Sequence, residues 1–328
     1  MNIQSEPKLS ISDLSCMVGM SRQLLHSKAN RKNTKLSKSG KVSYVTHKTV
    51  KKILDFSFNK KVIAVQHIKG GVGKTTTSDH IGDAASLLGC KVLKIDADFQ
   101  MNLSIRHGIS DEDASKKPVL IDLIQGNGDI TEAIIQVSEG VHLLPSRFEN
   151  ATIDTILTQK KANLDQILKD ILSPIENDYD LIIFDCPAML GKLVTAVSLY
   201  ADMVICPLNP EEFSIKGLDT LKCELNSIEH NYGKKMIHKV FLNKFEGNKI
   251  LSNTTVSNTI SSELDAGNGY DVVIRNSQEI INLQKEHKNL FSHIKKSQAR
   301  EDFLMLTGKI IDLDDVIQQK NNPNSNGE

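Results

Sequence analysis

Lys69-Gly70-Gly71-Val72-Gly73-Lys74-Thr75-Thr76 constrains the fold more tightly than any other stretch of this 328-residue chain. The run before it, Val62-Ile63-Ala64-Val65-Gln66-His67-Ile68, is mostly apolar and reads as a buried strand. After it, Ile81, Ala84, Ala85 and Leu88 recur at helical spacing up to Gly89. Glycines between a strand and a helix start are the setting of a phosphate-binding loop. Gly70, Gly71 and Gly73, with Val72 between them, let successive backbone N–H groups curl around one point, where the helix N-terminus adds its positive end. Lys74 supplies a full charge for the β- and γ-phosphates of ATP, and the Thr75 hydroxyl is placed for Mg²⁺. Thr76 opens the helix beside it. In the ordinary pattern a glycine would stand at position 68, which is Ile68, and a second lysine, Lys69, opens the loop instead.

Two further stretches carry carboxylates to the same place. Lys91-Val92-Leu93-Lys94-Ile95-Asp96-Ala97-Asp98 is a short strand ending in two aspartates, and Tyr179-Asp180-Leu181-Ile182-Ile183-Phe184-Asp185 is a buried strand ending in one. In doubly wound folds, ligands sit at the carboxyl ends of the strands. The expected fold class is therefore α/β, with a doubly wound, mostly parallel sheet and Asp185 holding Mg²⁺ through water. Residues Pro118–Ile124, Ile130–Val137 and 150–172 read as helices, the last broken near Lys160-Lys161, and Val141–Pro145 as a strand.

The first 59 residues differ in character. Residues 1–60 carry twelve Lys/Arg against three Asp/Glu, while the whole chain has 40 of each, so a basic head stands on an acidic body. Such asymmetry suits a polyanionic partner. Residues 1–8 read as a loose polar start. Ile11, Leu14, Met17 and Val18 share a helical face that Ser10 or Ser12 can cap, Gly19 breaks it, and Ser21 caps a second helix carrying Leu24 and Leu25 inward. Helix, short turn, helix is the helix-turn-helix layout, with Ser21, Arg22, Gln23 and Lys28 outward for DNA bases. The basic stretch Asn30–Lys41 reads as a wing on phosphates, and Thr46 caps a third helix. A small helical dimerisation module remains open as the alternative for this head.

The loop K-G-G-x-G-K-T-T at Lys69–Thr76 resembles the deviant Walker A motif of the ParA/MinD family of ATPases, and the head resembles the winged helix-turn-helix of larger plasmid-type ParA proteins. Asp96-Ala97-Asp98-Phe99-Gln100-Met101-Asn102 is similar to the family's D-x-D-P-Q-x-N, with Phe99 where proline is usual, and Asp185-Cys186-Pro187-Ala188 is similar to its D-x-P-P. The resemblance implies that Lys69 reaches the phosphates of a partner subunit, that Asp96 supports the Mg²⁺ shell and that Asp98 orients the attacking water. It also implies that Asn243 reads the base and that late basic residues, here Lys295, Lys296 and Arg300, help an ATP-bound homodimer hold non-specific DNA. A ParB-like centromere-binding protein would stimulate hydrolysis, and the head would bind an operator to repress the protein's own gene. The expected units are 1–59 (head), 60–318 (ATPase) and 319–328 (disordered tail), with a last helix near Glu301–Gln319.

Cys16, Cys90, Cys186, Cys206 and Cys223 form no paired motif and read as reduced thiols of a cytoplasmic, nucleoid-associated protein. No signal-peptide core or bilayer-length apolar run is present, and the acidic last helix argues against a membrane partner. A MinD-like membrane-surface ATPase and a nucleotide-regulated repressor are the alternative readings.

Overall fold

Ser10 ends a two-residue strand, β1 (Leu9–Ser10), and caps α1 (Ile11–Val18) by accepting a hydrogen bond from the Asp13 amide at 3.0 Å. Gly19, at φ +62°, ends that helix in the left-handed conformation where glycine costs least. Ser21 then caps α2 (Arg22–Arg31) through the Leu24 amide. Leu25 and Ala29, four apart, face inward, whereas Leu24 is 41% exposed, so only one of the two leucines expected inside is there. A hairpin of β2 (Ser37–Ser39) and β3 (Val42–Val45) follows, and β3 also pairs with β1 to give the order β1-β3-β2, all antiparallel. The next helix, α3 (His47–Leu54), buries Val50, Ile53 and Leu54. The Thr46 hydroxyl does not cap it and donates instead to Glu139 at 2.7 Å.

The structure, a computed structural model, describes residues 6–246 and 250–321. Its larger sheet has eight strands: β4 (Lys61–Val65), β5 (Val92–Asp96), β6 (Ile135–Ser138), β7 (Val141–Leu144), β8 (Leu181–Asp185), β9 (Met203–Leu208), β10 (His238–Phe245) and β11 (Gly269–Arg275). Their order is β11-β10-β9-β4-β8-β5-β7-β6, parallel throughout except for the β6–β7 pair. Helices on both faces explain why β5, β8 and β9 are buried along their whole length and read as continuous rather than alternating runs. Register matters most at the centre, where Val65 of β4 pairs with Asp185 of β8, and Asp185 with Asp96 of β5.

Several expectations change. The helix expected over Ile130–Val137 stops at Ala133, because Ile134 is extended and Ile135, Val137 and their neighbours form edge strand β6. The single last helix is two, Gln298–Ile310 and Leu313–Asn321, parted at Asp312 with φ +50°. The second continues through residues 319–321 of the expected tail, and 322–328 lie outside the described residues. Residues 6–8 are held in place: Glu6 accepts from the Glu139 amide at 2.9 Å, and the Lys8 amide donates to the Phe291 carbonyl at 2.8 Å.

The head and body share one apolar core. Leu9, Leu14, Val18, Leu54, Ile81 and Phe303 belong to a single buried cluster reaching from α1 and α3 to the helix after the glycine loop, α4 (Lys74–Leu87). That leaves α4 enclosed, with Thr77 to Leu87 all buried. Its charges must therefore be paired inside the protein. Lys94, fully buried in mid-β5, lies 2.8 Å from Asp79 and 2.7 Å from Asp83, one helical turn apart on α4. Burial opposes its charge, but the two carboxylates outweigh that and hold its pKa above the ordinary lysine value. Asn289 donates to Asp83 at 2.5 Å, and His107 lies 3.2 Å from Asp79. Gly82 leaves room for the lysine, since a Cβ there would stand 2.3 Å from Lys94 Cε. Replacing Lys94 by Met leaves two buried carboxylates uncompensated, so chemical denaturation should show a loss of about 3–5 kcal/mol. Adding Asp79→Asn and Asp83→Asn should restore part of it.

Candidate functional site

The glycine loop is built as its residue types require. Gly71 and Gly73 sit at φ +75° and +96°, and a Cβ on Gly73 would lie 2.5 Å from Asn243 Nδ2. Asn243, at the end of β10, donates to the Val72 carbonyl at 2.7 Å, and Lys244 Nζ donates to the Gly71 carbonyl at 2.7 Å. The strand end is thus latched to the loop. Beside it opens a cavity of about 650 Å³, walled by Gly70, Gly71, Gly73, Lys74, Thr75 and Thr76 and by Asp98 and Asn243 from the neighbouring strand ends.

Lys74 is buried, and burial lowers its pKa while Asp185 pulls it back up. Asp185 accepts from Ser78 at 3.0 Å, and the nearby Thr75 hydroxyl favours its charged form. Its Oδ2 is buried without a hydrogen-bond partner. Burial lifts its pKa to about 6. Asp96 is lifted to about 8 by burial and by Asp185, and its oxygens take hydrogen bonds from the Ser104 amide (2.8 Å), the Ser104 hydroxyl (2.7 Å) and the Asp98 amide (3.2 Å). Of the three aspartates only Asp98 lines the cavity; Asp96 and Asp185 are not on its wall.

These residues fit ATP with Mg²⁺. An orphaned carboxylate oxygen beside a threonine hydroxyl, behind a lysine and a ring of backbone amides, is a donor set for a cation that takes its other ligands from phosphate and water. Among the described residues no three acidic, histidine or cysteine side chains converge as an all-protein metal site, so a hard cation here depends on the nucleotide.

Lys69 is arranged differently. It is not on the wall of its own cavity, and its ammonium pairs with Glu211, the N-cap of the helix Glu212–Tyr232 that follows β9. Its amide donates to His67 Nδ1 at 2.9 Å, and His67 Nε2 lies 3.0 Å from the Ser214 carbonyl. Two residues beyond Glu211, Phe213 is 71% exposed.

The expected DNA contacts are not gathered in one place by sequence, and one is overturned. Ser21, Arg22 and Gln23 are exposed on α2, and Lys28 is half-buried there. Lys295 and Lys296 are exposed, the latter 3.7 Å from Asp13 of the head. Arg300 is 1% exposed, and its guanidinium donates to the carbonyls of Leu290, His293 and Lys8, so it closes the core and cannot meet a phosphate. Three polar residues at the site were not foreseen: Glu211, Arg106 and Gln284. Arg106 ends α5 (Asn102–Arg106), which the aspartate strand leads into, and its distance in sequence from the loop hides it.

A mostly parallel sheet with this loop between its central strand and an enclosed helix defines a P-loop nucleotide-binding protein. A family model described as an AAA domain matches residues 60–239. A ParA family protein of Chlamydia muridarum is 30% identical over 257 residues, 76% of this chain and 97% of that protein. The chromosome partitioning protein ParA of Caulobacter vibrioides is 27% identical over 258 residues, 76% of this chain and 94% of the relative. Cobyrinic acid a,c-diamide synthase from Mycobacterium smegmatis, with bound ADP and magnesium, superposes with a TM-score of 0.63 at 22% identity, covering 76% of this chain and 94% of the other. A putative plasmid partition protein from Borrelia burgdorferi bound to AMPPNP gives 0.63 at 21% identity, covering 78% and 100%. At such identities the structures share the fold. The chain belongs to the ParA family of P-loop ATPases.

His67 yields a pH prediction. Burial lowers its pKa from 6.5 to about 4, so the folded state holds it neutral with Nδ1 accepting from Lys69. Between those values the unfolded chain binds the extra proton, and stability falls as pH falls, by up to about 1.4 kcal/mol per pH unit from this group. In His67→Asn, whose side-chain oxygen accepts without titrating, denaturant midpoints should fall less steeply from pH 6.5 to 4.

Proposed function

We propose that this chain is a DNA-partition ATPase in which two copies close over two nucleotides and the closed dimer holds DNA without sequence preference. The observation that carries the reading is Lys69, which is off the wall of its own cavity and paired with Glu211, two residues before the exposed Phe213. A lysine that opens the phosphate loop yet turns away from its own cavity suits a partner's site. In the dimer Lys69 would leave Glu211 and place its charge on the phosphates of the opposite site, as an arginine finger does.

The nucleotide with Mg²⁺ supplies the scissile phosphoanhydride and a cation that neutralises its charge. Lys74 and the loop amides hold that charge from one side, Thr75 and Asp185 hold the cation's side, and Asp98 on the cavity wall orients the attacking water. Asp96, fixed by Ser104, braces the Asp98 loop and supports the Mg²⁺ shell from behind. Asn243, latched to the loop at Val72, would read the base with its side-chain amide.

For the DNA, exposed Lys285, Lys288, Lys295 and Lys296 offer phosphate contacts, whose hold should weaken steeply with salt. The head is a winged helix-turn-helix in this reading: α2 presents Ser21, Arg22, Gln23 and Lys28 to a major groove, and the β2–β3 hairpin is its wing. It would bind an operator, and a ParB-like centromere-binding protein would trigger hydrolysis and release.

Retention on non-specific duplex DNA with ATP, ADP or no nucleotide tests the reading. Wild type should be retained with ATP alone. Lys69→Ala should drop to the nucleotide-free level, with hydrolysis slowed by about 10²–10³-fold. Equal retention in all three states would place the DNA contact in the head and favour a nucleotide-regulated repressor.

A further inference from the structure

Thr76 is gripped from two sides. Its hydroxyl oxygen accepts from Arg106 at 2.8 Å and from the Gln284 amide at 3.1 Å. A hydroxyl with both lone pairs engaged has only its proton left to offer, so the Thr76 O–H is set to donate. All three side chains line the nucleotide cavity, at the first turn of α4 where backbone N–H groups and the helix dipole already favour an anion.

Arg106 is held there by the buried charge cluster. Its NH1 lies 3.5 Å from Asp79, and its side chain is 15% exposed. Asp79 is engaged more closely by Lys94, at 2.8 Å, and by His107, at 3.2 Å. Asp79 thus shares its charge among Lys94, His107 and Arg106, and positions the guanidinium at the cavity wall. On the other side of the loop, Lys74 and Thr75 are drawn toward Asp185, the cation's side of the site. A second cation thus stands on the cavity wall, joined to Thr76 rather than to the groups drawn toward Asp185.

We propose that Arg106 is a phosphate-binding residue of this site, meeting the part of the phosphate chain common to ADP and ATP, with Asp79 as its positioning residue. The inference rests on the reading of the cavity as a nucleotide site. The guanidinium and the Thr76 hydroxyl together donate to phosphate oxygens, and Gln284 fixes the hydroxyl's direction from the helix Gln278–Lys285.

Calorimetric titration of the full chain with ATP, ADP and adenosine, for wild type, Arg106→Met and Arg106→Lys, tests it. Arg106→Met keeps the aliphatic stem and removes the charge. It should weaken ATP and ADP alike by about ten- to a hundredfold, the worth of one charge-assisted hydrogen bond, and leave adenosine unchanged. Arg106→Lys should recover part of the loss. Unchanged ADP affinity in Arg106→Met, or an equal loss for adenosine, would overturn the assignment, the latter by showing a purely structural role. Should Arg106→Met not fold, Thr76→Val must show the same selective loss for ADP and ATP over adenosine, or the proposal fails. A wild-type chain that binds neither nucleotide would refute the underlying site reading instead.

Discussion

Two carboxylates brought side by side on neighbouring strand ends govern this molecule. The register that pairs Asp185 with Asp96 puts both into a fully buried position; burial lifts Asp185 to about 6, and burial with repulsion from Asp185 lifts Asp96 to about 8. Such a pair is tolerable only if cations and donors face it. Ser104 satisfies Asp96, and Thr75, Ser78 and Lys74 surround Asp185 except at one oxygen. The glycine loop follows from the same constraint, since only a backbone that curls over the strand ends brings Lys74 and Thr75 into reach. A nucleotide with its cation completes a charge balance that the protein alone leaves open.

The second organising feature is the enclosure of α4. In many sheets a crossover helix keeps a solvated face, but here the basic head and the C-terminal helices cover it. Its two aspartates are therefore tied to Lys94 below and Asn289 above. Arg300 closes the layer by bonding the Lys8 carbonyl, which joins head to body through the residue that the basic run had suggested for DNA. Head, loop helix and C-terminal segment share one packed core.

The central strands, the glycine loop, Asp96, Asp98 and Asp185 were legible because each depends on local pattern: a continuous apolar run, a turn only glycine allows, a carboxylate at a strand end. Edge strand β6 was not, since Ile130–Val137 satisfies helical spacing and only pairing with β7 decides against it. Arg300 misled for a related reason: a cation among lysines looks solvated, and nothing local shows three carbonyls turned toward it. Lys94, Arg106, Glu211 and Gln284 find their partners 11 to 208 residues away, so their roles exist only once the chain has folded.

In the proposed dimer each site is completed by the Lys69 of a second copy. Light scattering on a sizing column, with ATP and with ADP, for the Asp98→Ala chain that should bind without hydrolysing, addresses it most directly. The account predicts a dimer with ATP, a monomer with ADP, and a monomer in both when Lys69→Ala is added. A chain that stays monomeric with saturating bound ATP, or dimerises equally without Lys69, would contradict it.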